Sequence, residues 1–222
     1  MPALNIELLT AATPNGQKIS IFLEEIGVPY TATAIDLSAD EQKSASFLSS
    51  NPNGRIPAII DHSRNSFPVF ESGAIFLYLA THYDPEYNFH FRDANEHSEM
   101  LQWLFFQNAG VGPMQGQANH FFRYAPEKIQ YGINRYQNET KRLYSVLESR
   151  LENREFLVGE KYSIADMSTF TWVRWAPWAG IELEEFPRLK SWCEKIEVRE
   201  AVKKGLRVPE GQKEVADKHG RK

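Results

Sequence analysis

The stretch NGRIPAI, residues 53–59, joins a turn, a proline and the start of a β-type run. The β-type runs at 58–61 and 69–70 follow it, and together they predict a β-hairpin. Pro57 either marks the end of a strand or follows a cis peptide that turns the backbone of Ile56 toward a ligand, and the sequence leaves both open. This part of the chain therefore predicts a hairpin that is entered through a proline.

On both sides of the hairpin, short β-type runs alternate with helical patterns. Residues 6–9 predict a strand, residues 15–26 an amphipathic helix ended by Gly27, and residues 30–36 a second strand with a weaker helix after it. Beyond the hairpin, a helix opens at Glu71. The order β-α-β-α-β-β-α indicates an α/β domain with βαβ units on a partly parallel sheet.

The remainder of the chain has mostly helical patterns and predicts an all-α domain. We expect four segments, which are an α/β domain at 1–84, a turn-rich linker at 85–94, an all-helical domain at 95–206 and a polar tail at 207–222. No internal repeat or low-complexity tract interrupts this pattern. The predicted fold class is therefore α/β plus all-α.

Prolines and caps predict the helices of the second half. A helix over 95–122 should bend near Pro113, which lacks the amide that a straight helix uses. Pro126 should start the next helix, and the SIAD sequence at 163–166 has the form of a capping box. The inward face of the helix after Pro126 is predicted to carry Ile133, Tyr136, Thr140, Leu143, Leu147 and Leu151.

Composition and motifs argue against several function classes. The formal net charge of −4, from 29 acids and 25 bases, disfavours nonspecific electrostatic binding to nucleic acid or to an anionic membrane. Six histidines show no metal-ligand spacing, and the lone GVG at 110–112 has no strand before it. The single cysteine, Cys193, fits a reducing compartment, and the first residues show no export signal, so we expect a cytoplasmic protein. Cys193 itself is expected to be a packing residue.

Thr13 and Asn15 are the first candidates for chemistry, because they follow the first strand where the first helix begins. A helix N-terminus carries a partial positive charge and unpaired amides that stabilise an anion, and a thiolate is such an anion. Each 1.36 kcal/mol of preference for the thiolate lowers its pKa by about one unit. The alternative is that Thr13 or Asn15 only caps the helix.

Glu71 and Ser72 form a second candidate site at another helix start. Glu71 can accept from an ammonium group, while Ser72 and its amide can hold a carboxylate, although a simple cap has the same sequence. In a β-α-β-α-β-β-α sheet, this helix start, the first helix start and the loop containing Ile56 can lie along one edge. An extended γ-glutamyl tripeptide would suit such an edge.

These segments resemble the cytosolic glutathione transferases. The resemblance lies in TPNG at 13–16, NGRIPAI at 53–59 and FESGAI at 70–75, and it continues in the second half through LQWLFFQ at 101–107 and GPMQGQ at 112–117. More narrowly, the chain is similar to the nu class and to the globular domain of the fungal prion-forming nitrogen regulator. The resemblance implies a thioredoxin-like N-terminal domain, a helical C-terminal domain and a homodimer.

The resemblance also implies roles for individual residues. Thr13 and Asn15 would approach the sulfur of glutathione, Ile56 before a cis Pro57 would pair with its cysteinyl backbone, and Glu71 and Ser72 would hold its γ-glutamyl end. Arg55 would face the glycyl carboxylate. Two further residues, Gln42 and Arg135, would also contact glutathione. The implied co-substrate is reduced or oxidised glutathione, with a small disulfide or electrophile as its partner and no metal.

No cysteine occurs among the first seventy residues, so the reacting sulfurs must belong to the ligands. We expect a glutathione-dependent disulfide oxidoreductase or transferase in which bound glutathione thiolate attacks a disulfide. The alternative is a glutathione-binding module that holds a partner protein. The long Asn-rich extension of the fungal regulator is not part of this sequence, which favours the enzyme.

Overall fold

The computed structural model describes residues 6–211, which form two compact units. Within these residues, one unit consists of residues 6–86 and 199–211, and the other is Tyr87–Val198. Within the described residues, no helix is both long enough and apolar enough to span a membrane. Each unit has its own core of buried apolar side chains.

The first unit is built on a four-stranded sheet. Its strands are β1 (Ile6–Thr10), β2 (Tyr30–Ala34), β3 (Ala58–Asp61) and β4 (Phe67–Phe70). They lie in the order β2-β1-β3-β4, with β1 parallel to β2 and antiparallel to β3, and with β3 antiparallel to β4. The helices are α1 (Pro14–Glu25), α2 (Ala45–Ser50) and α3 (Ser72–Tyr83). The predicted β-α-β-α-β-β-α order and hairpin are confirmed.

Local sequence explains where these elements begin and end. Gly27 ends the turn after α1 at φ 64°, a conformation that suits a residue without a Cβ. Pro68 lies in β4, at the sheet edge, where its missing amide costs no ladder hydrogen bond to a further strand. Asn65 and Ser66, at φ 57° and 52°, close the hairpin between β3 and β4.

Apolar side chains cover both faces of the sheet. A cluster of Leu9, Ile35, Phe47 and Ala58, with Ile56 and Ile60 against it, places α2 on the core. In α1 and α3, the rings of Phe22 and Phe76 are in contact, with centroids 5.4 Å apart. The sheet is therefore held between apolar layers, and the ends of its strands are held in position as a result.

The second unit is helical throughout its described elements. It contains α4 (Ala94–Phe106), α5 (Gly112–Asn119), α6 (Gln130–Arg150), α7 (Ile164–Val173) and α8 (Pro187–Glu197). Two π-helical segments, Gln107–Val111 and His120–Tyr124, continue α4 and α5. Near Pro113, where the sequence predicted a bend, the structure has a widened turn in which the Gly112 amide donates to the carbonyl of Gln107 five residues earlier.

One predicted helix start is wrong, and one predicted cap is confirmed. Pro126 does not begin a helix, because α6 starts at Gln130 and residues 126–127 form a bend. A proline suits an irregular connection as well as it suits a first helical turn. The capping box at Ser163 is present, since Asp166 accepts from the Ser163 amide at 3.0 Å.

The last described helix, α9 (Glu200–Gly205), belongs to the first unit. It packs on α1, where Ser20 Oγ donates to the Gly205 carbonyl at 2.7 Å and Arg199 pairs with Glu25 at 2.7 and 2.9 Å. The sequence pattern placed these residues in the predicted helical domain 95–206. The predicted boundaries 1–84, 85–94 and 95–206 stay a prediction, and most of the predicted tail 207–222 lies outside the described residues.

Candidate functional site

The register of the sheet brings three of the predicted segments to one edge. Leu9 of β1 lies opposite Ala58 of β3, and Ala58 lies opposite Phe70 of β4. The chain after β1, the chain before β3 and the chain after β4 therefore meet at the same edge. These are the segments that contain Thr13 and Asn15, Ile56 and Pro57, and Glu71 and Ser72.

Thr13 is the N-cap of α1. Its Oγ1 accepts from the Gly16 amide at 3.3 Å, and Pro14 occupies the first helical position. Gly16 is required by close packing, since a Cβ there would lie 2.2 Å from the Ala11 carbonyl oxygen. Because the Thr13 oxygen accepts this bond, its hydroxyl proton can point away from the helix toward a ligand. Asn15 lies in the first turn and is half-buried.

The Ile56–Pro57 peptide is cis, which settles the alternative that the sequence left open. The loop before it is held by Asn51, whose buried side chain donates to the Arg55 carbonyl at 2.6 Å. Pro57 is buried, Ile56 is half-buried and the Arg55 side chain is exposed. This arrangement presents the backbone of Ile56 at the edge where the three segments meet.

Gln42 lies beside this loop. A Cβ on Gly54, which has φ 62°, would come within 2.9 Å of the Gln42 carbonyl oxygen, so the two backbones are closely packed. The Gln42 side chain is buried and donates to Asp40 at 3.0 Å. Across the described part of the chain, nothing donates to its Oε1. A buried amide oxygen without a donor is uncommon in folded proteins, so this atom retains the capacity to accept a hydrogen bond.

Glu71 and Ser72 form the start of α3. Glu71 precedes the helix at φ 71°, a strained conformation for a residue with a side chain, and its carboxylate is exposed. Ser72 is buried at 7% exposure, and its Oγ accepts from the ammonium of Lys18 at 3.1 Å. An acid and a serine thus lie side by side at a helix N-terminus, where amides favour a carboxylate.

Two segments of the chain match known family models. Residues 5–81 match the family model of the glutathione S-transferase N-terminal domain, and residues 113–200 match that of the C-terminal domain. The disulfide-bond oxidoreductase YfcG of Escherichia coli strain K12 is 45% identical over 205 residues, covering 90% of this chain and 94% of that protein. The chain belongs to the glutathione S-transferase family. The family resemblance and the α/β plus all-α fold are confirmed.

Two solved structures are similar to this glutathione S-transferase family member over nearly its whole length. A glutathione transferase homologue from Lodderomyces elongisporus, with two GSH per subunit, has a TM-score of 0.89 and 42% identity, covering 92% of this chain and 99% of that one. The nitrogen regulation fragment of the yeast prion protein Ure2p has a TM-score of 0.89 and 35% identity, covering 94% and 98%.

Arg135 and Cys193 lie in the second unit of this transferase-family chain. Arg135 is on α6, is exposed, and has its guanidinium 5.9 Å from the centre of the Tyr136 ring. Cys193 on α8 is buried at 5% exposure, and burial raises the pKa of its thiol to about 12. A thiol with that pKa is protonated at neutral pH and is a poor nucleophile. This agrees with the packing role expected for it.

Lys18 is the residue at this edge that sequence reasoning missed. It lies one helical turn beyond Asn15, its side chain is 1% exposed, and burial lowers its pKa to about 7 against the opposing attraction of Glu71. A lysine in an amphipathic pattern predicts a solvated position. In the structure, α1 is buried on nearly every side from Gly16 to Leu23, so its hydrophobic pattern did not separate Lys18 from a surface residue.

Proposed function

We propose that this protein is a glutathione-dependent disulfide oxidoreductase with the fold of the glutathione S-transferases. The observation that carries the proposal is the meeting of three segments at one sheet edge in the first unit, namely the start of α1, the cis Ile56–Pro57 loop and the start of α3. The similarity to the disulfide-bond oxidoreductase YfcG favours disulfides as the substrates.

Each part of the edge suits one part of glutathione. Glu71 would accept from the γ-glutamyl ammonium, and Ser72 with the first amides of α3 would hold the neighbouring carboxylate. The backbone of Ile56 would pair with the cysteinyl residue. The remaining proposed contacts with glutathione come from Arg55, at the glycyl carboxylate, and from Gln42 and Arg135. Because the chain supplies no thiol at this edge, glutathione must supply the reactive sulfur.

The chemistry then takes place between ligand sulfurs. Thr13 and Asn15 donate to the glutathione sulfur at the positive end of α1, which favours the thiolate over the thiol. The thiolate attacks one sulfur of a small disulfide, forming a mixed disulfide and releasing the other sulfur as a thiolate that takes up a proton. A second glutathione thiolate then attacks the mixed disulfide, yielding oxidised glutathione and the second reduced thiol. This sequence needs no metal.

The expected test is the steady-state reduction of hydroxyethyl disulfide by glutathione. Thr13→Val and Asn15→Ala should each lower kcat/KM about tenfold, equivalent to ~1.4 kcal/mol of transition-state stabilisation. Thr13→Ser keeps both the cap and the hydroxyl and should retain most activity. Cys193→Ser should be fully active. Unchanged rates in the Thr13→Val and Asn15→Ala variants, or an inactive Cys193→Ser, would refute the mechanism.

A regulatory module is the second candidate function, and the similarity to the nitrogen regulation fragment of Ure2p favours it. In that case the protein would bind glutathione without turning over disulfides, peroxides or aryl halides. Further parts of the proposal are membership of the nu class, a cytoplasmic location and a homodimeric state without nucleic-acid or membrane partners. Sedimentation of the purified protein measures the oligomeric state directly.

A further inference from the structure

Lys18 places an ammonium group in the interior of the first unit. It lies on α1, and its Nζ reaches the start of α3, where it donates to Ser72 Oγ at 3.1 Å. The carboxylate of Glu71, the residue before Ser72, attracts the Lys18 ammonium. A buried ammonium costs stability that an apolar side chain of similar length would not, so packing alone does not explain a lysine here.

Ser72 links this buried charge to the proposed ligand. A hydroxyl oxygen that accepts from an ammonium is polarised, and its O–H becomes a stronger donor. An anion that docks on Ser72 would therefore meet a polarised donor, the amides of the α3 N-terminus and, directly behind the serine, an amine whose charged form the bound anion stabilises. These three features together favour a carboxylate over a neutral group.

We propose that Lys18 is a positioning residue for the α-carboxylate of the γ-glutamyl group, acting through Ser72. This inference rests on the proposed function, because it assigns a role within the glutathione site. Lys18 stabilises the bound carboxylate equally before and during the chemical step, since that carboxylate is remote from the reacting sulfur. Its loss should therefore raise the KM for glutathione and leave kcat within about twofold.

The decisive experiment compares two ligands by calorimetry. One is glutathione, and the other is γ-aminobutyryl-cysteinylglycine, which lacks only the α-carboxylate. Lys18→Met should weaken glutathione binding about tenfold or more and leave binding of the analogue unchanged. Lys204→Met removes the same charge from an exposed position on α9 and should change neither affinity.

The outcomes separate this inference from the proposed function. Equal losses for both ligands would show a merely structural role for Lys18, and no loss for either would show no role, so both results overturn the inference. If wild-type protein binds neither ligand, the proposed function fails and the inference fails with it. If the Lys18→Met variant is insoluble, Lys18→Gln replaces it, because glutamine removes the charge and keeps a polar end. Lys18→Gln should likewise weaken the binding of glutathione and leave the binding of the analogue unchanged.

Discussion

At the scale of single residues, Lys18 shows how burial and charge compete. Removal from water lowers the pKa of its ammonium to about 7, and attraction by Glu71 offsets only part of this effect. In the unfolded chain, a lysine has a pKa of about 10.4. The folded protein therefore holds Lys18 partly neutral at neutral pH, while the unfolded chain keeps it fully charged.

This difference predicts a pH dependence of stability. Between pH 7 and 10, the unfolded chain binds a proton on Lys18 that the folded protein has released, so lower pH favours unfolding and stability rises with pH. The rise attributable to this group should reach about 4 kcal/mol. Urea unfolding followed by far-UV circular dichroism should show the stability of the wild type rising by this amount relative to that of Lys18→Met over this pH range.

The comparison between the two proteins isolates Lys18 from other groups that titrate in the same range. Lys204→Met, which removes a lysine from an exposed position of α9, is the control and should follow the wild-type curve. Parallel curves for the wild type and Lys18→Met would contradict the assignment of a buried, depressed ammonium.

At the scale of elements, Asp166 decides how α7 begins. Its Oδ2 accepts from the Ser163 amide and hydroxyl at 3.0 Å, and its Oδ1 accepts from the Leu157 amide at 2.9 Å and from Trp192 Nε1 at 3.1 Å. Burial raises the pKa of this carboxyl to about 6, which leaves it ionised at pH 7.5. One carboxylate thus ties three separate segments of the second unit together.

Asp166→Asn should destabilise the second unit by about 3 kcal/mol at pH 7.5. Both oxygens of Asp166 face N–H donors, so either orientation of the amide turns an NH₂ group toward a donor inside the protein. All five tryptophans lie in the second unit, so urea unfolding followed by tryptophan fluorescence reports on this unit.

Asp93→Asn is the matched control for this substitution. Asp93 caps α4 from an exposed position, and a single oxygen accepts from both Asn95 and Glu96. Asparagine keeps that oxygen and is as good an N-cap, so the change should stay under about 0.5 kcal/mol. Equal effects of the two substitutions would mean that the buried network of Asp166 adds nothing to the cap.

Elements whose signals are local were predictable from the sequence. The capping box at Ser163, the strands and the hairpin depend on neighbours in the chain, and the structure has them where the patterns indicated. The start of α6 was predicted at Pro126, and the proline could not reveal that the chain stays irregular until Gln130. The cis state of the peptide before Pro57 also needed the structure, since both isomers share one sequence.

The residues of the candidate site also divide into those that the sequence predicted and one that it did not. Thr13, Asn15, Glu71 and Ser72 follow strand ends that the sequence indicated, so their shared edge could be expected from the order of elements. Lys18 could not be placed there, because its contact with Ser72 spans 54 positions of sequence and depends on how α1 packs against α3. Contacts of that range depend on tertiary packing, which no local pattern records.

At the scale of the whole molecule, the first unit is completed by residues 199–211. α9 packs so closely on α1 that a Cβ on Gly205 would lie 2.6 Å from the Cα and the backbone nitrogen of Ile21. Ser20 donates to the Gly205 carbonyl at this contact, and Gln17 Nε2 donates to the Leu206 carbonyl at 3.4 Å. The packing of α1, whose N-terminus forms the proposed thiolate site, therefore depends on residues almost two hundred positions later in the chain.

Gly205→Ala should loosen α1 without affecting the second unit. The added methyl group meets backbone atoms of Ile21, which cannot rotate away as a flexible side chain would, so α9 must shift or detach. Amide hydrogen exchange should become faster across α1 and stay unchanged in α7 and α8. Lys204→Ala, at the neighbouring exposed position of α9, should leave both regions at wild-type rates.

Two outcomes would contradict this prediction. Faster exchange in α7 and α8 together with α1 would show that the two units unfold as one. Unchanged exchange in α1 would show that α9 does not support α1.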